Sequence, residues 1–177
     1  METLEWYAIR ATGLVAYALL YFAVLSGLYS AVQKKRKKKV NNILHFHEAV
    51  SDWALYMTLG HLGVLLIDSY FTFKWSDILI PFSGSYETIS MGIGSIATYF
   101  LIMTIITSKL RKKIGYQKWR KLHALNPILY IMVTLHGLMS GSDFPGTVLA
   151  AVNILPMFVF GGLLFSGKNK LEGKVIS

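Results

Sequence analysis

The chain has 177 residues, enough for one domain, and 54% of them are hydrophobic with a mean hydropathy of +0.48, high for a water-soluble globule. It has no cysteine, which excludes disulfides, thiolate metal sites and iron–sulfur ligation. The net charge of +9 is concentrated beside apolar stretches, and that distribution accounts for the charge without nucleic acid as a partner.

Five segments are long and apolar enough to cross a hydrocarbon core, which takes about 20 helical residues. The first runs from Leu4 to Val32 and the second from Ile43 to Phe71. The third runs from Glu87 to Ser108, the fourth from Leu122 to Ser140 and the fifth from Thr147 to Ser166. Together they predict an all-α membrane bundle of about five spanning helices in a single domain, residues 1–177. The first segment lacks a basic leader and its apolar run is too long for a cleavable signal peptide, so it is expected to remain as a helix. Between the second and third, the stretch Trp75 to Phe82 is apolar but short and broken by Pro81, which fits the outer interface where tryptophan is favoured.

The loops set the topology. Lys34 to Lys39 form an unbroken basic run, Lys109 to Lys121 hold seven further cations, and Lys168, Lys170 and Lys174 lie in the tail. Basic loops stay in the cytoplasm. The loops Asp68–Glu87 and Gly141–Gly146 are therefore expected outside, with the N-terminus outside and the C-terminus cytoplasmic, in a multi-pass protein of the cell membrane.

Histidine is costly inside a membrane helix unless its ring is bound or hydrogen-bonded. His47 and His61 lie fourteen residues apart in the second segment, and His123 and His136 thirteen apart in the fourth. Fourteen residues span roughly 21 Å along a helix and come close to four full turns, so His47 and His61 share a face. His45 sits about 160° round the helix from His61, which makes His47 the better partner. Both segments run from inside to outside, so His47 and His123 share an inner depth and His61 and His136 an outer one. Imidazole suits iron, and haem iron is commonly held by histidine. The pattern suggests two iron porphyrins stacked across the bilayer, one at each depth. The fourth segment carries a phase error: thirteen residues leave its rings about 140° apart on an ideal helix. Asn126-Pro127 lies between them, and a bend there, or tightening toward 3₁₀ geometry, would correct it. Gly60, Gly63 and Gly137 beside the ligands allow close approach of a flat ring.

Three stretches resemble the bacterial ferric reductase-like transmembrane proteins: Leu44-His-Phe-His-Glu48 through Leu59-Gly-His-Leu-Gly63, Leu79-Ile-Pro-Phe-Ser-Gly-Ser-Tyr86, and Leu110 to His123 followed by Leu135-His-Gly-Leu-Met-Ser-Gly-Ser-Asp143. That superfamily includes the membrane domains of NADPH oxidases, metalloreductases and the haem subunit of a methionine sulfoxide reductase system. The resemblance implies two b-type haems, the inner held by His47 and His123 and the outer by His61 and His136, and transmembrane electron transfer through them. It also implies a separate donor, a flavin reductase or quinol, and an extracytoplasmic acceptor, ferric iron or a flavin/reductase partner. Gly92 and Gly94 lie within an apolar helix and not in a nucleotide-binding loop, so no FAD or NAD(P) site is expected in this chain.

Two arginines are candidates for the haem propionates. Arg10 lies inside the first span near its outer end, and Arg120 with Lys121 precedes His123. The plainer readings are a snorkelling side chain for Arg10 and a topology anchor for Arg120. Glu48 and Asp52 lie one turn apart and either pair with lysine or relay protons. The competing functional classes are a small polytopic transporter or assembly protein using the histidines for metal or protons, and a single-haem cytochrome b.

Overall fold

In the computed structural model the described residues are 4–141 together with 148, 151–153, 156, 158 and 162; they form helices joined by turns, with no strand among them. The elements are α1 (Leu4–Lys35), α2 (Asn41–Ile67), α3 (Trp75–Leu79), α4 (Thr88–Lys109), α5 (Arg111–Ile114), α6 (Tyr116–His123) and α7 (Asn126–Ser140). Long enough and apolar enough to cross a membrane are α1, α2, α4, and α6 with α7 taken together. The predicted fifth span, Thr147 to Ser166, lies outside the described residues save for isolated helical positions, as do the tail and most of the Gly141–Gly146 loop.

Large apolar side chains such as Phe22, Trp53, Tyr56 and Ile106 stay exposed on the long helices. A helix that is apolar all round is stable only where its surroundings are apolar too, and helices satisfy their own backbone there. α1 packs along α2 and α4 along α7, and the two pairs meet through α1–α7 and α2–α4 contacts. The core is one layer: Leu20, Ala54, Ala97, Leu101, Leu129 and Tyr130. Ala54 is midway between His47 and His61, and Leu129 and Tyr130 are midway between His123 and His136. The tightest packing therefore separates the two histidine depths.

Polar contacts tie the bundle at both ends. At one end, the Glu5 carboxylate accepts from the Ser69 N–H at 3.0 Å and from its hydroxyl at 2.6 Å, joining α1 to the loop after α2. That loop begins at Asp68, whose carboxylate accepts from the Phe71 N–H at 2.7 Å and turns the chain out of α2. α3 then docks on α4, where the Ser95 hydroxyl donates to Ile78 O at 2.6 Å and the Tyr99 hydroxyl to Leu79 O at 2.5 Å. At the basic end, Lys109 bridges Asp52 at 2.6 Å and Glu48 at 3.3 Å, so these carboxylates pair with lysine across α2 and α4. Exposed pairs contribute little, so Lys109→Met is expected to lower stability by at most about 1 kcal/mol. Detergent unfolding of the purified variant checks this.

The fourth span departs from its predicted outline in an informative way. The stretch expected as a basic loop is helical from Arg111 onward, broken only at Gly115, whose φ of 86° is open to glycine. The span then breaks again between α6 and α7. There the Leu125 N–H donates to Leu122 O at 3.0 Å and the Ile128 N–H to Leu125 O at 2.9 Å, both i→i−3 bonds. Three residues per turn in place of 3.6 adds about 20° per residue, about 100° over the five steps from His123 to Ile128. That removes most of the phase error between His123 and His136, by the 3₁₀ tightening expected around Pro127.

Candidate functional site

Two of the histidines of α2, His47 and His61, face α1, which carries no histidine. His47 Nδ1–H donates to the backbone O of Ala23 at 2.8 Å, and His61 Nδ1–H to that of Ile9 at 3.0 Å. A hydroxyl stands by each ring: Ser26 Oγ is 3.4 Å from His47 Nδ1 and Thr12 Oγ1 is 3.3 Å from His61 Nδ1. A glycine follows each hydroxyl. A Cβ built on Gly27 would lie 3.3 Å from His47 Cε1, and one on Gly13 would lie 3.2 Å from His61 Cε1. The three pairs Ile9/Ala23, Thr12/Ser26 and Gly13/Gly27 are each fourteen residues apart, the separation of His47 and His61. α1 thus repeats one device at the period of its antiparallel neighbour.

α4 supplies a third copy for His136. Its Nδ1–H donates to Ser90 O at 2.9 Å, with Ser90 Oγ at 3.3 Å. The glycine four residues on, Gly94, is closer still: a Cβ there would lie 2.9 Å from both Cε1 and Nδ1 of His136. A helical carbonyl already accepts from the N–H four residues along, and a glycine at that fourth position leaves room for the imidazole to reach the same oxygen.

The chemical consequence is the same at all three rings. An imidazole whose one ring proton is donated through Nδ1 carries its lone pair on Nε2, and such an outer partner fixes the tautomer and orientation of a metal-binding histidine. The rings also come near one another at each level. His47 and His123 have centroids 6.1 Å apart with planes at 81°. His61 and His136 lie within electrostatic reach of one another. His45 is exposed and joins neither pair.

The arginines lie at the expected levels but have protein partners. Arg10 follows Ile9, the His61 acceptor, and its guanidinium lies 3.9 Å from the centre of the Trp6 ring. Arg120 precedes His123 by three residues and donates to the Tyr116 hydroxyl at 3.0 Å. Gly60, Gly63 and Gly137, expected to allow close approach of a flat ring, face open space, while the glycines packed against the histidines are Gly13, Gly27 and Gly94. Nothing in the histidine pattern pointed to these, although the Thr-Gly and Ser-Gly repeat of α1 was open to view.

A family model described as ferric reductase like transmembrane component matches residues 12–134. The chain belongs to this family. The match takes in α1, α2, α4 and the first part of α7, with His47, His61 and His123, and stops two residues before His136. Membership points to transmembrane electron transfer, and the four apolar helices make this ferric reductase-like component a multi-pass membrane protein. No curated protein and no solved structure matches the chain.

Proposed function

We propose that this ferric reductase-like component conducts electrons across the cell membrane through two b-type haems. His47 and His123 would hold the haem nearer the basic loops, and His61 and His136 the other. The observation that carries the reading is the His47–His123 spacing of 6.1 Å between ring centres. Imidazole–metal bonds of about 2 Å, with each ring centre about 1 Å behind its nitrogen, put two rings on opposite sides of one metal roughly 6 Å apart. When bound, haem iron supplies reversible one-electron exchange.

The chain's own residues do the rest. The carbonyls of Ile9, Ala23 and Ser90 orient three imidazoles through Nδ1, which would leave Nε2 for the metal. Ala54, Leu101 and Leu129 exclude water from the layer between the two depths. Arg10 on the outer level and Arg120 on the inner level are the cations placed to meet haem propionates, in exchange for their contacts with Trp6 and Tyr116. The basic loops put the His47–His123 level on the cytoplasmic side and the N-terminus outside. The donor is then a cytoplasmic flavin reductase or a membrane quinol, and the acceptor ferric iron or a flavin/reductase partner outside. A bare metal fits less well. Zinc takes four protein ligands, or three and water, whereas the described residues contain no cluster of three or more such groups.

The test is the haem content of protein purified from haem-sufficient cells. Two haems per chain are expected. His47→Ala and His123→Ala should each remove the same one, and His61→Ala and His136→Ala the other. Reduced protein in sealed vesicles should pass electrons to an impermeant ferric chelate on the outer face. Colourless protein, or oxidation independent of that face, overturns the reading.

A further inference from the structure

Three of the four histidines donate to a backbone carbonyl; His123 does not. Its Nδ1 faces the side-chain amide of Asn126, whose Nδ2 lies 3.3 Å away. The other end of that amide is anchored on α4, where the buried Thr104 hydroxyl donates to Asn126 Oδ1 at 2.8 Å. An N–H donated to Nδ1 makes that nitrogen the acceptor and puts the ring proton on Nε2, which then has no lone pair for a metal.

The plane of the ring is set by a stacked neighbour. Trp119 stacks on it with centroids 4.9 Å apart and planes at 29°, and the Trp119 indole N–H donates to Ser108 Oγ on α4 at 3.1 Å. The amide is the part that can move. A half-turn about its last bond exchanges oxygen and nitrogen in nearly the same volume. Oδ1 then accepts from His123 Nδ1–H, Nδ2 donates to Thr104 Oγ1, and Nε2 is released. Both ends of the amide keep a partner in either orientation, because a hydroxyl both donates and accepts.

We infer that Asn126, anchored by Thr104, is the positioning residue for His123, and that its amide orientation decides whether the His123 Nε2 is available as a ligand. This rests on the two-haem reading and adds to it an inner site that adjusts by a side chain where the outer site is fixed by backbone. Asn126 opens α7 immediately before Pro127, so the residues that correct the helical phase also deliver this amide.

Three variants test it, read by haem content and by the midpoint potentials of the two haems. Asn126→Leu removes both hydrogen-bonding ends and is expected to reduce haem content from two per chain toward one, with the outer haem's spectrum and potential unchanged. Asn126→Asp presents only acceptors to Nδ1–H. It should keep both haems and shift the inner potential alone to a more negative value, since a stronger acceptor makes the imidazole a more basic ligand. Thr104→Val leaves the amide unanchored and should lower inner haem retention during purification. If Asn126→Leu holds two haems with an unchanged inner potential, the inference is overturned. Should that variant fail to fold, an unshifted inner potential in Asn126→Asp overturns it equally. Wild-type protein without haem would overturn the two-haem reading itself, a result distinct from either.

Discussion

Gly94→Ala is expected to empty the outer site and leave the inner site filled. A Cβ on Gly94 falls 2.9 Å from Cε1 and Nδ1 of His136 and 3.3 Å from its Cγ. Carbon atoms pack at about 3.5–4.0 Å, so the ring or the helix must give way. The ring is pinned by its 2.9 Å bond to Ser90 O, one turn away on the same helix, and cannot retreat without losing it. Separating α4 from α7 instead disturbs a tightly packed core at a cost of about 1–3 kcal/mol. A binding constellation has to be held within about 0.5 Å to function, so either response removes the outer ligand. Haem content should drop from two per chain to one, the remaining haem being the one also lost in His47→Ala. The other two glycines grade the effect. Gly13→Ala meets His61 at 3.2 Å and should loosen the outer site less severely, while Gly27→Ala meets His47 at 3.3 Å and should act on the inner site. Loss sorted by site in this way distinguishes ligand positioning from general destabilisation. A Gly94→Ala protein with both haems and wild-type spectra would show that this contact does not set the ring.

Asn153→Leu is expected to produce the largest loss of stability without touching a ligand. Asn153 sits in a buried polar group within the layer between the two histidine depths. The Tyr17 hydroxyl donates to its Oδ1 at 2.9 Å, its Nδ2 lies 2.7 Å from the Tyr17 oxygen, and the Tyr130 hydroxyl also donates to Oδ1. Thr134 closes the group, 3.3 Å from the Tyr17 hydroxyl and donating to Tyr130 O at 2.9 Å. The two tyrosine rings stack with centroids 6.4 Å apart. Tyr130 is 3% exposed and Asn153 6%, so water does not replace a lost partner. Each polar group left unsatisfied costs about 1–3 kcal/mol; the Tyr130 hydroxyl loses its acceptor, and the Tyr17 hydroxyl keeps Thr134. Tyr17→Phe should cost less, about 1 kcal/mol, because Asn153 and Tyr130 still pair. Unfolding in mixed micelles reads both, and the double variant should lose less than the sum of the two, as groups in one network do. Equal unfolding midpoints for Asn153→Leu and wild type would remove the network from any account of stability.

Sequence alone determined the spans, because about 20 apolar residues in a row have few alternatives to crossing a membrane. It showed the matched spacing of the histidines as well, since fourteen residues close on whole turns and a proline within the thirteen-residue gap marks where the helix tightens. Those are one-dimensional spacings, and they survive folding unchanged. The second partners of the histidines were not legible. Ile9, Ala23 and Ser90 act through backbone carbonyls, which every residue possesses, so no side chain announces them. Only helix packing decides which carbonyl meets a ring. Gly92 and Gly94 make the same point. They are two positions apart and chemically identical, but a helix turns about 200° between them. One meets the ring of Phe82 and the other that of His136. Which of them guards a ligand is set by the rotation of α4 against α7, a quantity that exists only once the two helices have packed.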